Sequence, residues 1–370
     1  MKNALIVVGK SLKYNEPFID YLKSTIKKDV GELDCVSFVD ERDANIYELF
    51  EYHTKNYDYL FVGAKDGFLL VGKILSTLTN DNLTLRLGVL IPSYAGEESY
   101  KDSYKLRCNR SFVNVLDIKE NQEIPNILIK EKLPTALFLF YEDANDCNRF
   151  EKLAKVFKVG CLSTNLIEGI KFYNLSSKDN ASTERFLVDA REMITSNIIV
   201  GDDIFKIVSK RLIEEGKTIT FAESCTGGLL ASYLVKNSGV SSIFKGSIVS
   251  YANEVKVNFL DVKEQTLEKY GAVSYRCVDE MLIGVEKKFN SDFSLAVSGV
   301  AGPDGGSKEK PVGTIFIGVK IRDKSPMVKK LNLVGDRRYI QNLAVLWAFK
   351  LLILSDKKLF FKFVPKTLDK

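Results

Sequence analysis

Strand-like and helix-like segments alternate through the first 90 residues of the chain. Short, nearly continuous apolar runs predict strands at residues 4–8, 34–39, 59–63 and 86–91. Segments with helical spacing of apolar residues lie between them, at residues 17–26, 45–52 and 71–78. Such strands are typical of parallel sheets with helices on both faces. We therefore predict a parallel-sheet α/β domain over residues 1–130, with further extended segments at 111–115 and 127–129.

The pattern changes after Pro134. Apolar strands are predicted at residues 135–141 and 169–175, and helices at 149–157 and 183–195. This mixture favours a small α+β connector over residues 131–200. The remaining segment, residues 201–370, forms a third predicted domain and contains 15 of the 24 glycines, most of them in loops. Glycines between strands and helices let backbone amides approach a ligand closely.

The charge and hydropathy of the chain exclude several classes of protein. The 53 basic and 48 acidic side chains give a net charge of +5, which is too small and scattered to predict a nucleic-acid partner. No apolar run reaches the roughly 18 residues of a membrane span, and the run after Asn3 is too short for a secretory signal. We expect a cytoplasmic protein without a membrane partner. The lysines and aromatic residues of 356–370 favour a packed basic tail over a phosphate- or membrane-binding segment.

The chain has a single histidine, His53, and this limits the chemistry that it can perform. A Ser-His-Asp triad or a site with several histidine ligands therefore has almost nothing to use in this chain. The sequence around His53 favours a solvated helix position over catalysis. The six cysteines form no CxxC pair, so we expect reduced core residues and no metal site.

The segment from Thr218 to Ala231 places an apolar strand before small hydroxyl residues, two glycines and an amphipathic helix. This order puts Ser224 or Thr226 near a helix N-terminus, where free amides stabilise an anion or a developing oxyanion. A helix cap on a tight turn explains the same residues equally well.

Lys256 lies five residues after a strand that is predicted to end at Tyr251. A lysine in a dry pocket can lose its proton near neutral pH and act as a base for a serine, although a surface lysine is the commoner interpretation.

Two further segments are candidates for ligand binding. Four glycines and one proline lie within residues 299–306, between two predicted strands. Such a loop either admits a ligand closely or is an ordinary long connection. Further on, Asp336 suits a helix N-cap, and Arg337 is either a phosphate or carboxylate ligand or a solvated charge.

Together, and in this order, six segments resemble the C-terminal domain of the competence/damage-inducible CinA family, which also occurs alone as a nicotinamide-nucleotide amidohydrolase. The resemblance covers about residues 203–355. Its segments are AESCTGG (222–228), YANEVK (251–256), GAVS (271–274), SGVAGPDGG (298–306), KPVGT (310–314) and GDR (335–337).

The resemblance implies an α/β/α domain that hydrolyses the carboxamide of nicotinamide mononucleotide to nicotinate mononucleotide and ammonia. It places Ser224 at the position of the nucleophile, Lys256 at that of the base and Tyr251 at that of its hydroxyl partner, with no cofactor or metal. Cys225 is the alternative nucleophile because it is adjacent to Ser224. We also expect a homodimer.

The resemblance also implies a set of substrate-binding residues in these segments, although the sequence departs from the family in three places. Ala252 stands where the family has serine, Ser298 where it often has threonine, and Gln341 where a second arginine is common. The expected substrate-binding residues are Thr226, Gly227, Gly228, Ser298, Gly302, Gly305, Gly306 and Arg337.

Residues 1–130 faintly resemble the molybdopterin-binding-like domain of longer family members, some of which hydrolyse ADP-ribose with a metal. The segments GAKDGF (63–68) and GKSLK (9–13) lack most of the glycines and carboxylates that such chemistry needs. We expect this domain to be non-catalytic and to serve assembly. The alternatives are a bifunctional enzyme with an active pyrophosphatase, and a non-enzymatic competence or DNA-damage adaptor.

Overall fold

The structure, a computed structural model, describes residues 1–95 and 99–362 and divides into two compact units, Met1–Pro134 and Thr135–Lys370. Most of the predicted basic tail, from residue 363 onward, lies outside the described residues. Within the described residues, no helix is long and apolar enough to cross a membrane.

The first unit contains seven strands and three helices among its described residues. In chain order they are β1 (Asn3–Val8), α1 (Glu16–Val30), β2 (Cys35–Val39), α2 (Ile46–Asn56), β3 (Tyr59–Ala64), α3 (Phe68–Thr79), β4 (Leu83–Arg86), β5 (Val89–Pro92), β6 (Ser103–Cys108) and β7 (Ser111–Asp117), with 3-10 helices at Lys10–Tyr14 and Ser93–Ala95.

A five-stranded sheet in the order β2-β1-β3-β7-β6 forms the centre of this unit. The first four strands are parallel, and β6 pairs antiparallel with β7. Side chains of β1 alternate between two cores, with Ile6 packing beside α2 and α3 and Leu5 packing beside α1. The predicted parallel-sheet α/β class is therefore confirmed.

Three details of the first unit differ from the prediction. The segment predicted as a fourth strand, residues 86–91, contains the end of β4, a two-residue turn and most of β5. These two strands pair with each other in a separate hairpin, and β7 takes the fourth place in the main sheet. Residues 127–129 belong to no strand, although Ile127 and Ile129 are buried. His53 lies on a helix as predicted, but it is buried rather than solvated, with its ring nitrogens against Ser37 Oγ at 3.2 Å and the Leu49 carbonyl at 2.8 Å.

The second unit begins with an antiparallel sheet in the order β11-β8-β10-β9. The α+β character expected of the connector is present, because helices α4 and α5 pack on one face of this sheet. Strands β9 and β11 were not predicted. The elements are β8 (Thr135–Phe140), α4 (Asn145–Val156), β9 (Gly160–Ile167), β10 (Ile170–Ser176), α5 (Asn180–Met193) and β11 (Asn197–Val200).

A second sheet of this unit, in the order β13-β12-β14-β15-β16, follows in the chain. Strands β13, β12 and β14 are parallel, and β15 and β16 continue the sheet antiparallel. Its elements are α6 (Ile204–Glu214), β12 (Ile219–Glu223), α7 (Leu229–Val235), β13 (Phe244–Val249), α8 (Asn253–Leu260), α9 (Glu264–Tyr270), α10 (Tyr275–Phe289), β14 (Phe293–Gly299), β15 (Thr314–Ile321), β16 (Met327–Asn332), α11 (Arg337–Ser355) and α12 (Lys357–Phe360), with a 3-10 helix at Val240–Ser242.

Helices cover both faces of the second sheet. Helices α6, α7 and α11 share one core with it, and α8 and α10 share another. The first of these cores also includes Phe138, Phe140 and Ile170 from the antiparallel sheet. The two sheets of the second unit are therefore packed into one continuous apolar core.

Helix α10 packs against the end of α8 through Gly284. A Cβ atom added at Gly284 would lie 1.9 Å from the carbonyl oxygen of Leu260, the last residue of α8. Only a residue without a side chain permits this approach. Because α8 carries Lys256, Gly284 helps to set the position of that lysine.

We predict that Gly284→Ala lowers the free energy of unfolding by about 2 kcal/mol or more, because overpacking displaces α8. The matched control is Gly72→Ala in α3, where an added Cβ meets nothing closer than 3.5 Å. That change should be neutral or stabilising by up to about 1 kcal/mol through helix propensity. Urea unfolding followed by circular dichroism measures both changes. Equal stability of the two variants would contradict the packing argument.

Candidate active site

The candidate site lies at the carboxyl ends of three parallel strands. Strand β12 is flanked by β13 on one side and β14 on the other, so the order of the chain reverses at β12. Ligands of open α/β sheets bind in the crevice outside such a switch point. Ser224 directly follows β12, and Ser250 and Tyr251 follow β13. The topology therefore brings the ends of the predicted segments to one edge of the sheet.

Lys256 contacts Ser224 at this edge. Its Nζ atom lies 3.1 Å from Ser224 Oγ, 2.5 Å from the carbonyl oxygen of Ser250 and 3.2 Å from that of Tyr251. Lys256 is only 1% exposed and Ser224 only 8% exposed. Lysines usually lie on the surface, but Lys256 is buried and has three hydrogen-bonding neighbours.

Burial lowers the pKa of Lys256 below the ordinary lysine value of 10.5, because the charged form loses hydration. The described residues hydrogen-bonded to its Nζ include no carboxylate. A neutral amine has two hydrogens and one lone pair. The two carbonyl oxygens can accept the hydrogens, which leaves the lone pair for the hydroxyl of Ser224. The contacts therefore suit a lysine that accepts a proton from Ser224.

Tyr251 contacts Lys256 through its backbone and not through its side chain. Its carbonyl oxygen accepts from Lys256, whereas its hydroxyl accepts from Arg337 Nη2 at 2.9 Å and its ring is exposed. The Nη1 atom of Arg337 donates to the Gly302 carbonyl at 2.6 Å. Arg337 therefore links the loop after β13 to the loop after β14. Asp336 caps helix α11 by accepting from the amide of Tyr339, as predicted.

The carboxylate of Glu223, which lies fully buried before Ser224, occupies the start of helix α7. We predicted no role for it from the sequence, although an acidic residue that ends an apolar strand just before the hydroxyl and glycine run is an unusual signal. It accepts five hydrogen bonds of 2.9–3.1 Å. The donors are the hydroxyls of Thr226 and Ser247 and the backbone amides of Gly228, Leu230 and Ala231.

Glu223 thus takes the anion position that the sequence assigned to a ligand at this helix end. The hydroxyl of Thr226 and the amide of Gly228, both predicted to bind substrate, are directed to the carboxylate instead. Gly228 is the N-cap and has φ 99°, a left-handed conformation that favours glycine. The turn and its glycines are therefore shaped around an internal anion.

Two amides of the same turn donate to no other residue among those described. The amide of Thr226 has no acceptor and that of Cys225 meets only its own thiol, whereas the amides of Ser224 and Gly227 donate to the carbonyls of Val297 and Ser224. Amides that follow a nucleophile commonly stabilise the oxyanion formed on its substrate.

Cys225 is turned away from this chemistry. Its side chain belongs to the core beneath α7 and α11, and burial raises the pKa of its thiol to about 12. A protonated, buried thiol is a poor nucleophile. Its carbonyl oxygen accepts from Gln341 Nε2 at 2.7 Å, so Gln341 anchors the backbone of the turn.

The remaining predicted substrate residues lie in the turn and in the glycine-rich loop. Ser298 is buried, and its hydroxyl donates to the Ala272 carbonyl at 2.8 Å. Gly302 has φ 83° and presents its carbonyl to Arg337. Gly305 and Gly306 are exposed beyond it, and Gly227 lines an open cavity beside α7. Within the described residues, no group of three His, Cys, Asp or Glu side chains is placed to hold a metal ion.

The fold and the site define an α/β protein with a serine–lysine pair at a topological switch point. Residues 202–355 match the profile described as the CinA C-terminal domain. Over 150 residues the chain is 49% identical to a CinA-like protein of Fervidobacterium nodosum, covering 40% of this chain and 36% of that protein. A CinA-like protein of Thermosipho melanesiensis is 45% identical over 165 residues, or 44% of this chain and 41% of that protein.

A solved structure matches the same part of the chain. It is a CinA superfamily protein of Klebsiella pneumoniae, 33% identical, with a TM-score of 0.40, covering 42% of this chain and 95% of that one. Residues 202–355 of this chain belong to the CinA family. Its matches span less than half of the length of the curated relatives given above.

We predict that Glu223→Ala destabilises the protein by about 3 kcal/mol or more, because several buried donors lose their acceptor. Glu223→Gln keeps one acceptor oxygen and should fold. For the amide hydrolysis that the sequence predicts, this variant should still lower the turnover number roughly ten-fold, because Ser224 is displaced, with little change in KM. The exposed Glu268→Gln is the control. Unfolding curves and steady-state kinetics test this role, and unchanged turnover in Glu223→Gln would reject it.

Proposed function

We propose that the second unit hydrolyses the carboxamide of nicotinamide mononucleotide, giving nicotinate mononucleotide and ammonia. The contact of 3.1 Å between Lys256 Nζ and Ser224 Oγ, in a buried setting, carries this proposal. This contact supports an amidase that uses a serine nucleophile and a lysine base. The six sequence segments shared with the amidohydrolase domain support nicotinamide mononucleotide as the substrate. Competence and damage appear in the names of relatives and define no chemistry for this chain.

The reaction follows from the positions of two groups. Ser224 Oγ attacks the carboxamide carbon while its proton passes to Lys256 Nζ. The tetrahedral intermediate then expels the amide nitrogen, which takes the proton from Lys256 and leaves as ammonia. Water attacks the resulting ester, and Lys256 transfers the proton of that water to the departing Ser224 oxygen. The two half-reactions together return the serine and lysine to their starting protonation states.

Three further groups support the chemistry around this pair. The amides of Cys225 and Thr226, which donate to no other described residue, are the candidates for stabilising the oxyanion. The amides of Gly228, Leu230 and Ala231 are bonded to Glu223. Tyr251 supplies the carbonyl that holds Lys256. Its hydroxyl, on Arg337, is available to the substrate rather than to the lysine.

Other candidate nucleophiles and bases fit less well. The pKa of the Cys225 thiol is raised by its burial in the core. His53 belongs to the first unit, where Ser37 and the Leu49 carbonyl occupy its ring nitrogens. In the loop that would carry pyrophosphatase chemistry, Lys65 pairs with Glu120 at 2.6 Å. No observation on the described residues favours a second activity there.

We expect Ser224→Ala to lower the rate of ammonia release from nicotinamide mononucleotide by about three orders of magnitude or more, with the fold retained. Cys225→Ala is the matched neighbour and should keep most of the activity. The double variant Ser224→Ala, Lys256→Ala should lose little beyond either single change, because the pair acts as one unit. Activity that survives in Ser224→Ala and disappears in Cys225→Ala would assign the nucleophile to Cys225.

A pH profile tests the state of Lys256. The base must be neutral, and burial lowers its pKa, so kcat/KM should rise with pH to a plateau whose midpoint lies below the ordinary lysine value of 10.5. Measurements are taken above the second ionisation of the substrate phosphate, near pH 6. Lys256→Arg should be inactive at every pH, since a guanidinium keeps its proton. A flat wild-type profile, or an active Lys256→Arg chain, would contradict the proposed base.

A further inference from the structure

An open cavity of about 610 Å³ lies between α7, along its length to the C-cap Lys236, and the start of α11. Lys236, Arg337 and Arg338 line it, together with Thr226, Gly227 and Ser232 among others, and none of the lining residues is acidic. Three cations without a lining carboxylate give the cavity a positive potential, and the N-terminus of α11 adds to it. The cavity is therefore suited to an anion.

The three cations differ in how far the protein already uses them. Arg337 donates to the Gly302 carbonyl and to the Tyr251 hydroxyl, so it holds loops together. Arg338 is exposed and has no hydrogen bond or ion pair from its side chain to the described residues. Lys236 is also exposed, and its ammonium lies 4.5 Å from the ring centre of Tyr233. The two exposed cations are available to a ligand.

The start of α7 is not available for this purpose. Its amides at Gly228, Leu230 and Ala231 donate to Glu223, whose buried negative charge also opposes a second anion there. A phosphate bound near the serine must therefore find its donors in side chains beyond this helix end.

The cavity is within reach of the reacting serine. Its lining begins at Thr226, whose Cα is two residues from that of Ser224 and so at most about 7.6 Å away. In a pyridine mononucleotide the carboxamide and the phosphate lie at opposite ends of the molecule, separated by the ribose. A substrate with its amide at Ser224 can therefore place its phosphate in this cavity.

We propose that this cavity is the phosphate subsite of the enzyme, with Arg338 and Lys236 as the charged ligands and the Ser232 hydroxyl as a further donor. The ligand class is a nucleotide phosphate, either the monoester of a mononucleotide or the pyrophosphate of a dinucleotide. The assignment rests on the proposed function for its choice of nucleotide. The binding of phosphate itself does not depend on turnover.

The variants Arg338→Gln and Lys236→Gln test the subsite, with the exposed Arg276→Gln and Lys288→Gln as matched controls. The measured quantity is the ratio of kcat/KM for nicotinamide mononucleotide to that for the dephosphorylated riboside. We expect each subsite variant to lower the ratio about ten- to hundred-fold, because a charge-assisted contact is lost. The controls should leave it unchanged. A ratio unchanged in both subsite variants would overturn the proposal.

A binding measurement separates this proposal from the proposed reaction. Calorimetric titrations use the Ser224→Ala chain with inorganic pyrophosphate, nicotinamide mononucleotide and NAD as three probes. Binding that weakens about ten-fold or more in Arg338→Gln supports the subsite, even if the wild-type chain releases no ammonia. Tighter binding of NAD than of the mononucleotide would identify a dinucleotide as the source of the phosphate. Absence of pyrophosphate binding, or binding insensitive to both variants, would reject the subsite.

Discussion

The buried carboxylate of Glu223 determines the arrangement of the site. It gathers donors from the turn, from the first turn of α7 and from β13, and so fixes the direction in which the chain leaves β12. A buried carboxylate is costly unless its lone pairs are satisfied, and five donors meet that condition here. Ser224 is held at the edge of the sheet as a consequence. The same charge closes the helix end to other anions.

Lys256 reaches Ser224 because a second set of contacts places α8. The close approach of α10 at Gly284 fixes the end of α8, and the carbonyls of Ser250 and Tyr251 hold the amine. A buried amine whose hydrogen-bonding neighbours are carbonyls and a hydroxyl, without a carboxylate, is biased towards its neutral form. The packing that stabilises this part of the fold is therefore also the packing that lowers the pKa of Lys256.

The sequence predicted the class of the fold and the segments of the site better than it predicted contacts. Buried strands were visible as apolar runs, and the glycine and hydroxyl segments pointed to the edge where Ser224 and Lys256 meet. The role of Glu223 was missed although four of its five donors lie within eight residues of it, because a sequence pattern does not show that backbone amides will turn towards a side chain. The fifth donor, Ser247, lies in another strand. His53 was predicted to be solvated from the aromatic and charged residues around it, whereas its ring is buried beside Ser37 on β2 and stacked on Tyr57. A local sequence pattern shows the periodicity of a strand or helix. Whether a polar residue is buried depends on residues that are distant in the sequence.

The core shared by the two sheets of the second unit has a consequence for cooperativity. Phe138 and Ile170 of the antiparallel sheet pack into the same apolar cluster as Trp347 and Ile353 of α11, the helix that presents Arg337 and Arg338. Elements that share one core tend to open together rather than as separate units. Loosening of the antiparallel sheet would therefore propagate to the edge where Ser224 and Lys256 meet. This sheet, although it supplies none of the residues of the proposed site, acts as part of the folding unit that keeps the site ordered.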